Sequence, residues 1–212
     1  MFNIIELIYP NVCGFCNKIC KTSICKKCEI KIKKLEKNYK IDCSNKYFNE
    51  AFSIFQYKGI IREKIIDYKF NDKPYLYKTF GKIFLKNKKI CGNFKKYDII
   101  IPVPIAKKRK LKRGYNQTQL IARFLAKATG IKCENNVLVK VKNITSQSEL
   151  TKEQRIKNVQ DAFKVLHENK IINKNIILFD DIYTTGSTVN ECSKMLKNAN
   201  VKNICVLTIA KD

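Results

Sequence analysis

Two neighbouring carboxylates and a short hydroxyl-rich segment stand together near the carboxyl end of the chain. Asp180 and Asp181 follow the apolar run 176–179, and the segment 184–188 has the sequence Thr-Thr-Gly-Ser-Thr. Hydroxyls and free backbone N–H groups at the start of a helix can surround a phosphate, and a glycine lets the backbone approach closely. Adjacent carboxylates offer acceptors for the vicinal hydroxyls of a ribose. The stretch predicts a ribose-phosphate site, and the plainer alternative is an acidic turn before a Ser/Thr helix cap.

A strand, a loop, a helix and a second strand must position these groups. The apolar run predicts a buried parallel strand that stops at Asp180, and the apolar spacing after Val189 predicts a helix that starts near Ser187. Residues 203–210 are again β-rich and apolar, which predicts a right-handed crossover to a parallel strand. We therefore expect the ligand at the carboxyl end of the first strand.

A second apolar strand, within 97–104, ends in Pro102 and Pro104 and precedes a strongly basic segment. The sequence predicts that this segment is a loop that leads into a helix over 119–129. Its cations could neutralise a pyrophosphate or follow a nucleic-acid backbone, or they could form only a solvated run of charge. The candidate residues of this loop are Pro104, Lys107, Lys108, Arg109, Arg113, Asn116 and Gln117.

The polar segment 142–158 predicts a mobile loop that runs into a short helix. A loop at this place can close over a substrate and exclude water, with Gln147, Arg155 and Asn158 as candidate contacts. A surface helix capped by Thr151, with Gln154 as its capping-box partner, is the alternative, and both can hold at once.

Four of the ten cysteines form two Cys-x-x-Cys pairs close to the amino terminus. The pairs are Cys13 with Cys16 and Cys25 with Cys28, and Cys20 lies between them. Because the first residues carry no secretion signal, we expect reduced thiols rather than disulfides. Four thiolates can close a tetrahedral zinc site that has a structural role, whereas unpaired thiols are the alternative.

The ordered motifs of the chain resemble a known family. Residues 176–188 are similar to the ribose-phosphate signature of type I phosphoribosyltransferases, which bind phosphoribosyl pyrophosphate (PRPP). Together with the Pro-Val-Pro strand end, the Arg-Gly-Tyr-Asn-Gln segment at 113–117 and the cysteine pairs, they resemble the competence protein F family. The resemblance implies an α/β fold, a mostly parallel twisted sheet with flanking helices, behind a small zinc module. It also implies a PRPP site with Mg²⁺, in which Asp180 and Asp181 hold the ribose hydroxyls and the basic segment around Arg113 faces the pyrophosphate. The 5′-phosphate would be bound by Thr184, Thr185, Gly186, Ser187 and Thr188.

Composition limits the remaining possibilities. A chain of 212 residues can form one main domain and a small module, which we place at 46–212 and 1–45. The net charge of +25 favours a polyanionic partner, but only five of the 43 basic residues are arginine, so codon bias is an equal explanation. No segment is long and apolar enough to span a membrane, and we expect a cytosolic protein.

The sequence is compatible with two functions. The family resemblance implies a protein of DNA uptake and natural transformation that binds PRPP or a nucleotide and single-stranded DNA, with a DNA-uptake helicase or channel protein as a partner. The alternative is an active phosphoribosyltransferase with an unidentified acceptor. The single histidine, His167, lies in a polar stretch and is not a candidate base.

Overall fold

The centre of the molecule is a six-stranded sheet with the strand order β1-β2-β8-β7-β3-β4. The computed structural model describes residues 11–92, 94–141 and 161–212. All neighbouring strands are parallel except β1, which pairs with β2 antiparallel. A separate antiparallel pair is formed by β5 and β6. The strands are β1 Tyr39–Lys40, β2 Glu50–Gln56, β3 Ile99–Pro102, β4 Lys132–Cys133, β5 Leu138–Lys140, β6 Phe163–Val165, β7 Asn175–Tyr183 and β8 Asn203–Lys211.

The two central strands are covered on both faces, which explains their continuous apolar sequences. Residues 176–179 of β7 are all buried, and Ile177 and Phe179 pack on one side of the sheet while Ile176 and Leu178 pack on the other. This is the alternation of a strand inside a three-layer structure. The expected α/β architecture with a mostly parallel sheet is confirmed.

Helices cover both faces of the sheet. The first face carries α2, α3 and α6, and the second carries α7 with the β5–β6 pair. The helices are α1 Lys26–Lys33, α2 Gly59–Phe70, α3 Leu76–Lys86, α4 Lys88–Cys91, α5 Lys107–Arg113, α6 Gln117–Thr129 and α7 Ser187–Asn198, with short 3-10 turns at Phe94–Lys96 and Glu168–Lys170. Among the described residues, none of these helices has the length and apolar character needed to cross a bilayer.

Two sequence predictions of local structure were wrong. The strand β7 does not stop at Asp180 but continues to Tyr183, because its pairing with β8 extends through Asp180 opposite Thr208 and Tyr183 opposite Lys211. The basic segment after β3 is not a loop: lysine, arginine and leucine favour helix, and Gly114 ends α5 in the left-handed conformation at φ 80°.

The cysteine-rich segment packs directly on α3. The hydroxyl of Thr79 donates a hydrogen bond of 2.8 Å to the carbonyl oxygen of Ser23. Gly14 lies so close to Thr79 and Leu76 that a methyl group on its Cα would clash with both side chains. The side chains of Cys13 and Phe15 belong to the same apolar cluster as Phe80 and Phe84 of α3. The predicted boundary at residues 45 and 46 stays a prediction.

Candidate functional site

A cavity of about 200 Å³ opens where β3 and β7 end. Its walls come from the last residues of β7, from the residues that follow β3 and β7, from the last turn of α2, from α5, and from the ends of α6 and β5. Two parallel neighbours that end side by side leave a crevice at their carboxyl ends, which is where α/β folds bind ligands. The volume is below the roughly 300 Å³ of the smallest drug-sized pockets, so the cavity suits a compact group such as a sugar phosphate.

The segment after β7 forms one wall of the cavity. Gly186 adopts the left-handed conformation at φ 74° and turns the chain into α7, which begins at Ser187. The backbone N–H groups of the first helical turn have no partners inside the helix, and they carry the positive end of the helix dipole. Thr184, Gly186, Ser187 and Thr188 line the cavity. This wall can therefore accept an anionic group such as a phosphate.

Thr185 has a different position from its neighbours. It is not part of the cavity wall; its hydroxyl lies 2.9 Å from that of Ser187 and accepts a hydrogen bond of 3.3 Å from the Ser187 backbone N–H. Thr185 thus holds the turn in shape. Gly186 is held against Tyr183, because a methyl group on its Cα would overlap the Tyr183 ring.

Asp181 is tied into a network on the α2 and α6 side of the sheet. Its side chain is 8% exposed, and its Oδ1 lies 2.7 Å from the Lys69 ammonium. Its Oδ2 accepts a hydrogen bond of 2.7 Å from Nε2 of Gln117, whose Oε1 in turn accepts from the guanidinium of Arg113. Both oxygens therefore have a protein partner, and each keeps a further lone pair for a ligand hydroxyl.

Asp180 lies on the opposite face of β7. Its Oδ1 accepts a hydrogen bond of 2.8 Å from the backbone N–H of Asp181. Burial and the neighbouring charge of Asp181 raise the pKa of Asp180 to about 7, and the cations Lys69 and Lys140 only partly offset this. Both carboxyl groups line the cavity, but from opposite sides of the strand end. A ribose between them would be held from two directions.

The basic helix α5 contributes two of its cations to the cavity. Arg109 and Arg113 line it together with Pro104, whereas Lys107 and Lys108 are exposed outside it. Asn116 is buried, and its Oδ1 caps α6 by accepting from the backbone N–H and the hydroxyl of Thr118. The structure thus places Asn116 beneath the cavity rather than in its wall.

Eight lining residues were not among the predicted site residues; five of them adjoin the predicted motifs, and three, Lys69, Phe70 and Lys140, come from other elements. Lys69 and Phe70 close α2, and Lys140 closes β5, far from the predicted motifs in sequence. Burial and the nearby Arg109 lower the pKa of Lys140. In a chain with 43 basic residues, single lysines give no signal of their own, and only the fold brings them together. The predicted contacts Gln147, Arg155 and Asn158 lie outside the described residues.

A second candidate site is formed by the four paired cysteines. The sulfur atoms of Cys13, Cys16, Cys25 and Cys28 all lie within 4.8 Å of one another, and those of Cys16 and Cys25 are 3.8 Å apart. Four sulfurs about 2.3 Å from one zinc ion would be about 3.8 Å apart, so the spacing fits. The backbone N–H of Cys25 donates a 3.4 Å hydrogen bond to the Cys13 sulfur, which stabilises a thiolate. These cysteines could hold a metal ion such as zinc, and Cys20 is outside the cluster.

Comparison with known protein families and curated proteins identifies relatives of this chain. The family model described as the phosphoribosyl transferase domain matches residues 111–212. Competence protein F of Haemophilus influenzae is 32% identical over 148 residues, which cover 68% of this chain and 65% of that protein. Competence protein ComFC of Bacillus subtilis is 23% identical over 91% of this chain and 74% of that protein. DNA utilization protein YhgH of Salmonella typhi is 31% identical over 47% of this chain and 43% of that protein.

Solved structures with a related fold include an allosteric regulatory enzyme of purine biosynthesis and an adenine phosphoribosyltransferase. The first has a TM-score of 0.42 and 19% identity over 64% of this chain and 25% of its own. The second has a TM-score of 0.41 and 19% identity over 65% of this chain and 72% of its own.

The chain spans slightly less than two thirds of the length of competence protein F of Haemophilus influenzae, the first relative described above.

Proposed function

Since the chain has the type I phosphoribosyltransferase fold and has competence proteins among its homologues, we propose that it is a cytoplasmic protein of DNA uptake that binds PRPP or a nucleotide. Single-stranded DNA is its second ligand, and a DNA-uptake helicase or channel protein is its partner. The names of three relatives, two for competence and one for DNA utilization, support the role in DNA uptake.

One observation carries the proposal for the small ligand. The carboxyl groups of Asp180 and Asp181 line the same cavity as the first residues of α7. A ribose 5-phosphate has hydroxyls that donate to carboxylates and a phosphate that accepts from N–H groups and hydroxyls. The cavity offers complementary groups at both of its ends. Asp180 and Asp181 bind the ribose, and Thr185 holds the following turn in shape. The 5′-phosphate is bound by Thr184, Gly186, Ser187 and Thr188.

The pyrophosphate of PRPP belongs on the side of the basic helix. Arg109 and Arg113 line this side and are suited to phosphate oxygens because the planar guanidinium can donate two parallel hydrogen bonds. A Mg²⁺ ion bound with PRPP would neutralise part of the pyrophosphate charge, and Asp180 and Asp181 are the carboxyl groups of the cavity that could supply oxygen ligands to it. Arg109 and Arg113 then orient the pyrophosphate, and Asp180 and Asp181 orient the ribose.

Cations outside the cavity support the proposal of DNA binding. Six of the seven residues of α5 are lysine or arginine, and this helix stands at the mouth of the cavity. Replacing Lys107 and Lys108 by glutamate should weaken binding of a single-stranded oligonucleotide and reduce the slope of log K against log salt by about 1.4, since each phosphate that is no longer neutralised accounts for about 0.7. The matched control replaces Lys31 and Lys34, two exposed residues near α1, by glutamate. Equal losses of affinity in both variants would show an effect of net charge alone.

Zinc is the structural ion of the cysteine cluster in this proposal. Cys13, Cys16, Cys25 and Cys28 supply four sulfur ligands and leave no open position for a substrate. The zinc ion would hold together the cysteine-rich segment that packs on α3.

Transfer of the phosphoribosyl group is a second candidate function, and the position of Asp180 in one cavity with Arg109 and Arg113 favours it. A carboxyl group with a pKa of about 7 can accept a proton at neutral pH, as a general base must. The chain would lower the barrier mainly by positioning the ribose and neutralising the pyrophosphate. Release of pyrophosphate from PRPP in the presence of nucleobases or DNA would show this activity. Loss of that release in Asp180→Asn with unchanged PRPP affinity would assign Asp180 as the proton acceptor, whereas loss of both would assign it to ribose binding alone.

Thermal denaturation with PRPP and Mg²⁺ tests the binding proposal. A ligand present at 100 times its dissociation constant should stabilise the protein by about 2.7 kcal/mol, and Asp180→Ala should reduce that gain. No stabilisation of the wild-type protein, or an equal gain in the variant, would contradict the ribose-phosphate site.

A further inference from the structure

Phe70 is an exposed aromatic side chain in the wall of the cavity. It is 71% exposed, although Tyr68 of the same helix is fully buried. The helix α2 ends at Phe70, directly after Lys69, whose ammonium is bound to Asp181. The ion pair therefore fixes the backbone of Phe70 next to the carboxylate that faces the ribose. A single exposed aromatic residue is ordinary on a surface, so its contacts decide whether it has a role.

The ring of Phe70 is held by the same network as Asp181. The guanidinium carbon of Arg113 lies 5.2 Å from the centre of the Phe70 ring, within the range of a cation–π contact. Arg113 is also bound to Gln117, which donates to Asp181. Within the part of the chain that the structure describes, Phe70 has no aromatic partner. A phenyl ring is thus fixed beside the ribose site while most of its surface is open to solvent.

We propose that Phe70 and Arg113 form a stacking site for the base of a nucleotide whose ribose and phosphate occupy the cavity. An aromatic face backed by a guanidinium attracts any nucleobase, because every base has a flat π-surface. A bare sugar phosphate has no group that could use this surface. The ligand class is therefore a base-bearing 5′-phosphate, either free or as one nucleotide of a single strand. This inference rests on the proposed ribose-phosphate site and adds the base to it.

The chain has no tryptophan, which makes a direct test possible. Phe70→Trp keeps a flat aromatic ring and introduces a single tryptophan, which can be excited apart from the ten tyrosines and whose emission a stacked base should quench. Phe70→Leu removes the stacking surface and leaves Lys69 and Asp181 unchanged. Ile172→Trp is the control fluorophore, since Ile172 is 44% exposed and precedes the amino end of β7, opposite the cavity. The probes are ribose 5-phosphate, AMP and a 5′-phosphorylated oligodeoxyadenylate.

The stacking site predicts that the wild-type protein binds AMP about tenfold or more tightly than ribose 5-phosphate. Phe70→Leu should abolish this difference without weakening ribose 5-phosphate, and AMP should quench Phe70→Trp but not Ile172→Trp. Quenching by the oligonucleotide at lower concentration than by AMP would identify a strand as the source of the base, and the reverse order would identify the free nucleotide.

Two results would overturn the inference. If ribose 5-phosphate binds but AMP binds no more tightly and Phe70→Leu changes neither, the stacking site is wrong and the ribose-phosphate site stands. If neither ligand binds the wild-type protein, the ribose-phosphate site fails and the stacking site fails with it.

Discussion

Asp180 and Asp181 are neighbours in sequence but lie on opposite faces of β7. Asp181 is bound to Lys69 and Gln117 on the side of α2 and α6. Asp180 lies on the side of α7, where burial and then the charge of the Asp180 carboxyl group raise the pKa of the Cys192 thiol. Because successive residues of a strand point to opposite faces, this division follows from the continuation of β7 beyond Asp180. The carboxyl group of Asp181 is therefore paired with the Lys69 cation, whereas the carboxyl group of Asp180 has a raised pKa.

The raised pKa of Asp180 predicts a stability that falls with pH. The group is ionised above about pH 4 in the unfolded chain but only above about pH 7 in the folded protein, so the folded state binds more protons between these values. Stability therefore decreases as pH rises through this window. Asp180→Asn should remove the decrease and be more stable than the wild type by about 1 to 2 kcal/mol at pH 8 and much less at pH 5. Urea denaturation in zinc-containing buffer at both pH values measures this, and an equal difference at both would contradict it.

Lys69→Met should destabilise the protein because it leaves the Asp181 carboxylate without its cation. Breaking a buried ion pair from one side costs about 3 to 5 kcal/mol, and the retained hydrogen bond from Gln117 should hold the loss near the lower value. Urea denaturation measures the loss. The control is Lys112→Met on α5, where the lysine is exposed and the change should be within about 0.5 kcal/mol.

The double variant Lys69→Met with Asp181→Asn separates charge from packing. Without the carboxylate there is no unpaired charge to bury, so the double variant should be more stable than the sum of the two single changes implies. Strictly additive losses would show that Lys69 and Asp181 have no net interaction energy in the folded protein.

Gly186→Ala should impair both folding and ligand binding. Alanine is strained at φ 74°, and its methyl group would meet the Tyr183 ring, so we expect a loss of about 2 to 3 kcal/mol and at least tenfold weaker PRPP binding. Gly130→Ala is the matched control, since Gly130 has φ 77° but open space around its Cα. That variant should lose only about 1 kcal/mol and bind PRPP normally. Equal effects of the two substitutions would rule out the close approach to Tyr183 as the cause.

If the four-cysteine site holds zinc, as proposed, loss of the ion should destabilise the packing of α3 as well as the cysteine segment. Gly14 and Ser23 contact Thr79 of α3, so the order of this segment supports the packing of that helix. Cys28→Ser should lower the zinc content to well below one ion per chain and lower the melting temperature by several degrees. Cys20→Ser should retain both, because Cys20 lies outside the cluster. Metal analysis and thermal denaturation decide, and an unchanged zinc content in Cys28→Ser would contradict the assignment.

Local patterns were sufficient to predict most of the fold. The apolar runs before Asp180 and around Ile204 predicted the two central strands, and the spacing after Val189 predicted α7, because these elements are specified by their own sequences. The end of β7 could not be predicted in this way. Two aspartates normally end a strand, but here backbone pairing with β8 continues past them.

Only some of the residues that line the cavity could be predicted from the sequence, for a related reason. Residues that follow a strand directly, such as Gly186 and Thr188, can be assigned because they are adjacent to that strand in sequence. Lys69 and Phe70 reach the cavity from a helix more than one hundred residues earlier, and only the packing of α2 on the sheet places them there. A lysine-rich composition hides such residues, since one functional cation resembles its many neighbours.

The central claim is that the cavity at the carboxyl ends of β3 and β7 binds a ribose phosphate, and that binding there is coupled to the binding of single-stranded DNA. Isothermal titration of PRPP with Mg²⁺, carried out with and without a single-stranded oligonucleotide, tests it most directly. The account predicts one PRPP per chain and an affinity that changes when the oligonucleotide is present, with an equal change in oligonucleotide affinity when PRPP is present. Absence of PRPP binding under both conditions would contradict the claim.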